Sequence, residues 1–271
     1  MRVVLIQNAP RLNRSNLESV LELIGENSAH KAVLVFPELA LNGYMLQDKV
    51  FEDAWQLYEL EGLSAASRQC DIVIGAAIKE RGRTYNSVLY FSKGELLHIH
   101  HKVHLPNYGM FEEARYFFKG ESISTFETVY GVTAMLVCED LWRADTISEL
   151  SAAKPDIIYI AAASPARDFS DEGLLIEQQW DALLRSTAIL CSAYVVFVNR
   201  VGFEDGLGFW GGSRVITPKG EIEAKLPNFT PETKEVSLSH SLQTVDGEDR
   251  VKSAVHLRVG IAPSKNGGWR R

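Results

Sequence analysis

Short apolar runs that stop abruptly at a polar or turn residue recur along this 271-residue chain, and stretches of helical periodicity alternate with them. Residues 3–7, 32–36, 71–78, 132–138, 156–161 and 194–198 read as strands. Between them, Leu17, Val20, Leu21 and Ile24 fall on one face of a helix over 16–26, with Ser15 as its expected N-cap and Glu18 as the capping-box partner. Residues 48–69 are expected to be mostly helical, and further helices are expected over 145–153 and 174–190. Residues 83–91 and 95–100 read as a hairpin around Ser92-Lys93-Gly94. Loops are expected over 102–120 and over 204–213, the second rich in glycine and acidic residues. Hairpins and short strands follow to about residue 259, then a polar, glycine-bearing tail over 262–271. Strands alternating with helices argue for an α/β layered domain, and the lack of a repeat or linker argues for one such domain over 1–271.

Charge and cysteine usage narrow the function. The net charge is −7, with no basic cluster, which argues against nucleic acid or an anionic membrane surface as a partner. No stretch reaches the roughly 18 apolar residues of a membrane span. The N-terminal apolar run is too brief for a signal peptide and reads as a first strand. Cys70, Cys138 and Cys191 are an odd number, widely spaced, without a Cys-x-x-Cys pair. That pattern supports neither a disulfide framework nor a zinc site and fits a reducing cytoplasm. His98, His100, His101 and His104 cluster, but on a strand 98 and 100 face one side and 101 the other, so no metal is expected.

Three residues each lie just past an apolar β-type segment: Glu38 after Val33-Leu34-Val35-Phe36, Lys102 after 96–100, and Cys138 after 134–137. Strand ends on one edge of a sheet converge, and the loops there carry function. A carboxylate, an ammonium and a thiol make chemical sense together. The glutamate takes the thiol proton, and the lysine favours the thiolate and holds a developing oxyanion. Attack on a carbonyl or nitrile carbon then gives a thioester or thioimidate.

The words around these residues are more specific than their spacing. Phe36-Pro37-Glu38-Leu39 with Gly43-Tyr44, His101-Lys102-Val103-His104-Leu105-Pro106, and Val137-Cys138-Glu139-Asp140-Leu141-Trp142 resemble the nitrilase, or carbon–nitrogen hydrolase, superfamily. The resemblance runs from residue 2 to about 225. Within that superfamily the chain is most similar to the glutaminase domain of glutamine-dependent NAD synthetases. Lys102 to Phe117, Cys138 to Trp142, Ala163-Ser164-Pro165 and Asn199-Arg200-Val201-Gly202 carry that similarity.

The resemblance implies a four-layer αββα sandwich that pairs into homodimers or higher homo-oligomers, and no cofactor. It implies Glu38 as general base, Lys102 as oxyanion cation, Cys138 as nucleophile and Glu113, or its neighbour Glu112, as a second, positioning glutamate. The backbone N–H of Glu139 would complete the oxyanion hole. The stretch from Ser164 would line the substrate pocket, but here it reads Ser164-Pro165-Ala166-Arg167-Asp168-Phe169 and departs from the glutaminase pattern. Arg167 is expected either to meet a substrate carboxylate or to stand in solvent. Tyr44, Tyr108 and Trp142 are expected to form pocket wall or core, and the Glu139 side chain is a candidate for a substrate amino group. The sequence contains no Ser-Gly-Gly-x-Asp-Ser pyrophosphatase loop, so the ATP-dependent synthetase half is not expected in it.

The expected activity is an amide hydrolase that works through a Cys138 thioester and releases ammonia from a small amide. A true nitrilase using the same three residues is the alternative within enzymes. An ammonia-supplying subunit for a separate synthetase chain is the alternative partner-based reading.

Overall fold

The computed structural model describes residues 1–28, 32–171 and 173–239, and Met1–Leu238 forms one compact unit. Its strands and helices run β1 (Arg2–Gln7), α1 (Asn16–Asn27), β2 (Ala32–Val35), α2 (Val50–Asp53), α3 (Glu61–Ala66), β3 (Asp71–Glu80), β4 (Arg83–Ser92) and β5 (Glu95–His101). Then come α4 (Glu113–Tyr116), β6 (Thr125–Thr128), β7 (Gly131–Val137), α5 (Ala144–Ala153), β8 (Ile157–Ala162), β9 (Phe169–Ser170), β10 (Gly173–Leu174) and α6 (Leu175–Cys191). The last elements are β11 (Tyr194–Asn199), β12 (Val201–Glu204), β13 (Leu207–Trp210), β14 (Arg214–Ile216), β15 (Ile222–Lys225) and β16 (Glu232–Ser237).

Two six-stranded sheets form, ordered β16-β1-β2-β3-β4-β5 and β15-β14-β11-β8-β7-β6. Each has a parallel centre, β1-β2-β3 in one and β11-β8-β7 in the other, flanked by antiparallel strands. The strand alternation explains the layering. In β1, Val3 and Leu5 join Val33, Val35, Val73, Met135, Val137, Tyr159 and Val196 in a core between the sheets. Val4 and Ile6 face the other way and pack with Val20 and Ile24 of α1 and Leu63 of α3. On the second sheet, Leu136, Ile158 and Ile160 pack outward under Leu150 of α5 and Trp180 and Leu184 of α6. The result is an αββα sandwich, as the family resemblance implies. Because both faces of each central strand are buried, those strands read as continuous apolar runs.

Several local expectations are corrected. Ser15 does not cap α1: it is itself helical (φ −66°, ψ −10°), and its hydroxyl donates to Asn13 Oδ1 instead. Residues 48–69 are broken into short turns and helices, because Trp55 leaves the helical path to pair with β3. Its N–H donates to the Ala77 carbonyl, and its carbonyl accepts the Lys79 N–H. Residues 204–213 do not form an open loop; most of them belong to the β12–β13 hairpin, which turns at Asp205-Gly206, both at positive φ (46° and 80°). An Asp-Gly pair is the turn that matches strand twist. Strands end at Ser237 in the described residues; the hairpins expected beyond 239 and the polar tail lie outside them.

Candidate active site

The carboxyl ends of the parallel strands meet at one edge of the sandwich, where open α/β sheets bind ligands. Chain leaving β2 passes through Phe36-Pro37 and crosses β3 closely. A Cβ on Gly75 would lie 2.7 Å from Glu38 Cα and 2.5 Å from Leu39 N, so this crossing needs glycine. Glu38 is thereby carried inside with no exposure. Its Oε1 accepts bonds from Lys102 Nζ and Asn86 Nδ2, both at 2.7 Å. Its Oε2 accepts the Ala163 N–H at 2.7 Å.

Lys102 follows β5 and is held by backbone bonds on both sides, to the Asn86 carbonyl and from the Gly120 N–H. Its ammonium sits between two carboxylates, 2.7 Å from Glu38 Oε1 and 2.7 Å from Glu113 Oε1. Burial works against the charge, but Glu113 and Glu38 hold the pKa well above the usual lysine value. Glu113 opens α4, and its Oε1 also accepts the Tyr44 hydroxyl at 2.6 Å. Its Oε2 is buried without a partner among the described residues. Burial pushes the Glu113 carboxyl up to about 7 against the pull of Lys102. Glu112, the alternative, is exposed and lies 4.0 Å from Arg115.

Cys138 follows β7 at φ 44°, a left-handed conformation that a non-glycine residue adopts only under constraint. Burial first, and then the Glu38 charge, push its thiol well above the usual value, while Lys102 and the Ala163 N–H pull it down. The thiol shares a cavity of about 20 Å³ with Tyr44, Tyr108, Phe111, Glu113, Glu139, Trp142, Ser164, Arg167 and Trp180. Eight of the ten residues expected at the site line this cavity; Lys102 joins it through its bond to Glu113, and Glu38 through its bond to Lys102.

A profile of the carbon-nitrogen hydrolase family matches residues 2–245. The chain belongs to that family. Carbon-nitrogen hydrolases act on carbon–nitrogen bonds other than peptide bonds. A glutamine-dependent NAD(+) synthetase from Aquifex aeolicus is 31% identical over 251 residues, covering 90% of this chain and 42% of the relative. A probable nitrilase from Schizosaccharomyces pombe is 26% identical over 261 residues, covering 91% of this chain and 89% of the relative. Among solved structures, the glutamine-dependent NAD+ synthetase of Acinetobacter baumannii superposes with a TM-score of 0.74 at 26% identity, over 88% of this chain and 48% of that one. The chain thus spans less than half the length of the synthetases it matches.

In this carbon-nitrogen hydrolase the pocket wall divides by chemistry. Glu139 faces the cavity, but its carboxylate already accepts the Tyr108 hydroxyl at 2.8 Å and Arg143 Nη2 at 2.9 Å. Ser164 Oγ accepts the indole N–H groups of Trp180 and Trp210, at 2.9 and 3.2 Å. Trp142 packs edge-on against Trp180. Tyr44 is held by its backbone as well: Glu204 Oε2 accepts the Tyr44 and Met45 N–H groups, and Arg200 donates to Glu204 Oε1.

Sequence reasoning missed three groups. Asn86 carries a weak signal, a buried amide just ahead of the apolar run 88–91 of β4. Ala163 carries none, since it acts through its backbone. Asp140 was visible only as the second carboxylate after Cys138. Buried, its Oδ1 accepts the Val103 and His104 N–H groups and its Oδ2 accepts the Val137 N–H, with His100 Nε2 2.9 Å away. It therefore fastens the lysine loop to the strand end that bears Cys138. The other histidines are engaged separately: His101 lies between Ser87 and Glu80, and His98 stacks on Phe126. Cys70 and Cys191 are buried away from the site, and burial raises both thiols, Cys70 to about 11.

Proposed function

We propose that this chain is an amidase that cleaves a small amide through a Cys138 thioester and releases ammonia. The observation that supports it is the meeting of Glu38, Lys102, Glu113 and the Cys138 thiol in one buried site. Burial raises the thiol well above its usual value, so attack and deprotonation are coupled. Glu38 Oε2, with only the Ala163 N–H on it, retains a lone pair for the thiol proton. As the S–C bond forms, the carbonyl oxygen gains charge, and Lys102 Nζ with the Glu139 N–H would hold it. Glu38 then passes its proton to the amide nitrogen, the C–N bond breaks, and ammonia leaves a thioester. Water repeats the cycle: it gives a proton to Glu38, attacks the thioester carbon and expels the thiolate, which recovers that proton.

The similarity to a probable nitrilase over nearly the whole of both chains favours a second reading, attack on a nitrile to give a thioimidate. The synthetase similarity favours passing the ammonia to a separate synthetase chain. Exposed Ile189 and Leu190 at the end of α6 suit pairing of two copies, and a free nucleophilic thiol suits a reducing cytoplasm. The deciding experiment measures ammonia release by the purified protein alone across small amides and nitriles, with Cys138→Ser beside it. Release from amides that vanishes in the variant supports the amidase. Release from nitriles only favours the nitrilase, and undiminished release by the variant overturns both.

A further inference from the structure

Arg167 carries a charge that the catalytic cycle does not use. Its guanidinium lines the cavity that holds Cys138 and packs 5.9 Å from the Phe111 ring centroid. No hydrogen bond or ion pair engages it among the described residues. The other arginines of this region are committed: Arg143 to Glu139, Arg200 to Glu204 and the Pro10 carbonyl. Nor is Arg167 placed by an unsupported loop. The Ala166 N–H donates to the Gly208 carbonyl at 2.7 Å, and Pro165 bridges to Phe209, so the β12–β13 hairpin pins the segment.

Both acidic residues that line this cavity are engaged: Glu113 accepts from Lys102 and Tyr44. Glu139 holds the Tyr108 hydroxyl on one oxygen and Arg143 on the other. A substrate ammonium at Glu139 would have to displace a charged partner and would also stand near Arg167. A substrate carboxylate has the opposite situation: Arg167 offers five N–H donors in a fork that matches a carboxylate, and no partner has to be removed. The enclosed part of the cavity is small, about 20 Å³, which favours a short acyl chain.

From this arrangement we infer that the preferred substrate is the half-amide of a short dicarboxylic acid, with its free carboxylate on Arg167 and its amide carbon at Cys138. The inference rests on the amidase reading for the reaction but not for the binding. It departs from glutamine, whose α-ammonium would have to displace Tyr108 or Arg143 from Glu139, and makes Arg167 a specificity residue.

Two measurements separate the inference from the reading beneath it. The first compares kcat/KM for succinamate, glutaramate, glutamine and butyramide in wild type, Arg167→Gln and Arg167→Lys. The half-amides are expected to lead. The ratio of succinamate to butyramide kcat/KM is expected to fall about 10- to 100-fold in Arg167→Gln, mainly through KM, the scale of a charge-assisted pair, with part restored by lysine. The second is calorimetric titration of succinamate into Cys138→Ala and into Cys138→Ala with Arg167→Gln. Binding that needs Arg167, without turnover in wild type, upholds the inference while the amidase reading fails. Turnover in which butyramide or glutamine leads, or a succinamate preference indifferent to Arg167, overturns the inference and leaves Cys138 chemistry standing. Absence of succinamate binding and turnover alike also overturns it.

Discussion

Replacing Asp140 by asparagine should cost both stability and rate, although the residue touches no substrate. One Asn orientation keeps an oxygen on the Val103 and His104 N–H groups, at 3.0 and 2.9 Å in the wild type. Its NH₂ then faces the Val137 N–H and His100 Nε2, so the Val137 bond is lost, two donors meet in a fully buried position, and the His100 bond survives only in the tautomer that leaves Nε2 an acceptor. An unpaired buried N–H costs about 1–3 kcal/mol, and the surviving bonds lose their charge assistance, so a total of roughly 2–4 kcal/mol is expected. For a domain of this size that is a drop in Tm of roughly 5–15 °C. The loss has a pH signature. Burial alone would raise the Asp140 carboxyl, but the bonds from His100, His104 and Val137 hold it below the usual carboxylate range. A depressed folded pKa stabilises above the unfolded value of about 3.9, and that stability is lost as pH falls through the folded pKa. The gap in Tm between wild type and Asp140→Asn should therefore be full at pH 7 and narrow below about pH 4. Thermal unfolding at both pH values is the assay, with kcat measured alongside. A variant with wild-type Tm at pH 7, or a gap that widens in acid, would refute the clamp.

Lys102→Met should lower kcat about 10²- to 10³-fold, the scale of losing an oxyanion donor; a kcat within tenfold of wild type would remove the lysine from the chemistry. Gly75→Ala should lose activity even where it folds, because its Cβ would push on Glu38 Cα from 2.7 Å; the check is kcat beside circular dichroism. Glu113, raised to about 7 by burial, favours the folded state while protonated, so its contribution falls as pH rises from its unfolded pKa of about 4.3 through about 7. Thermal unfolding of wild type should therefore lose ground to Glu113→Gln between pH 5 and pH 8, and parallel Tm curves would show that the carboxyl is ionised throughout.

The central strands were legible because burial on both faces writes them as apolar runs, and Glu38 and Cys138 were legible because each follows such a run; Lys102 follows the half-exposed edge strand β5 and was legible from the residues around it. What escaped depended on contacts distant in sequence. Trp55 breaks the expected 48–69 helix by pairing with β3, a competition that local periodicity does not record. Ser15 looked like a cap, yet Asn13 takes its hydroxyl. The Asp205-Gly206 turn was present in the sequence, but the strands beside it are only four residues long and each is interrupted by a glycine. Ala163 reaches Glu38 across 125 residues through a backbone N–H, which no side chain announces. Arg167 was visible as a departure from the glutaminase pattern; its freedom from partners became apparent only when Glu139 was seen to hold Tyr108 and Arg143.

The central claim is a covalent acyl intermediate on Cys138. Protein mixed with succinamate, glutamine or butyramide, quenched in acid during turnover and digested, should yield the Cys138 peptide carrying the mass of the acyl group. The same treatment of Cys138→Ala should give neither adduct nor ammonia. Ammonia released at the wild-type rate by Cys138→Ala, or an acyl group found on Cys70 or Cys191 instead, would contradict the account.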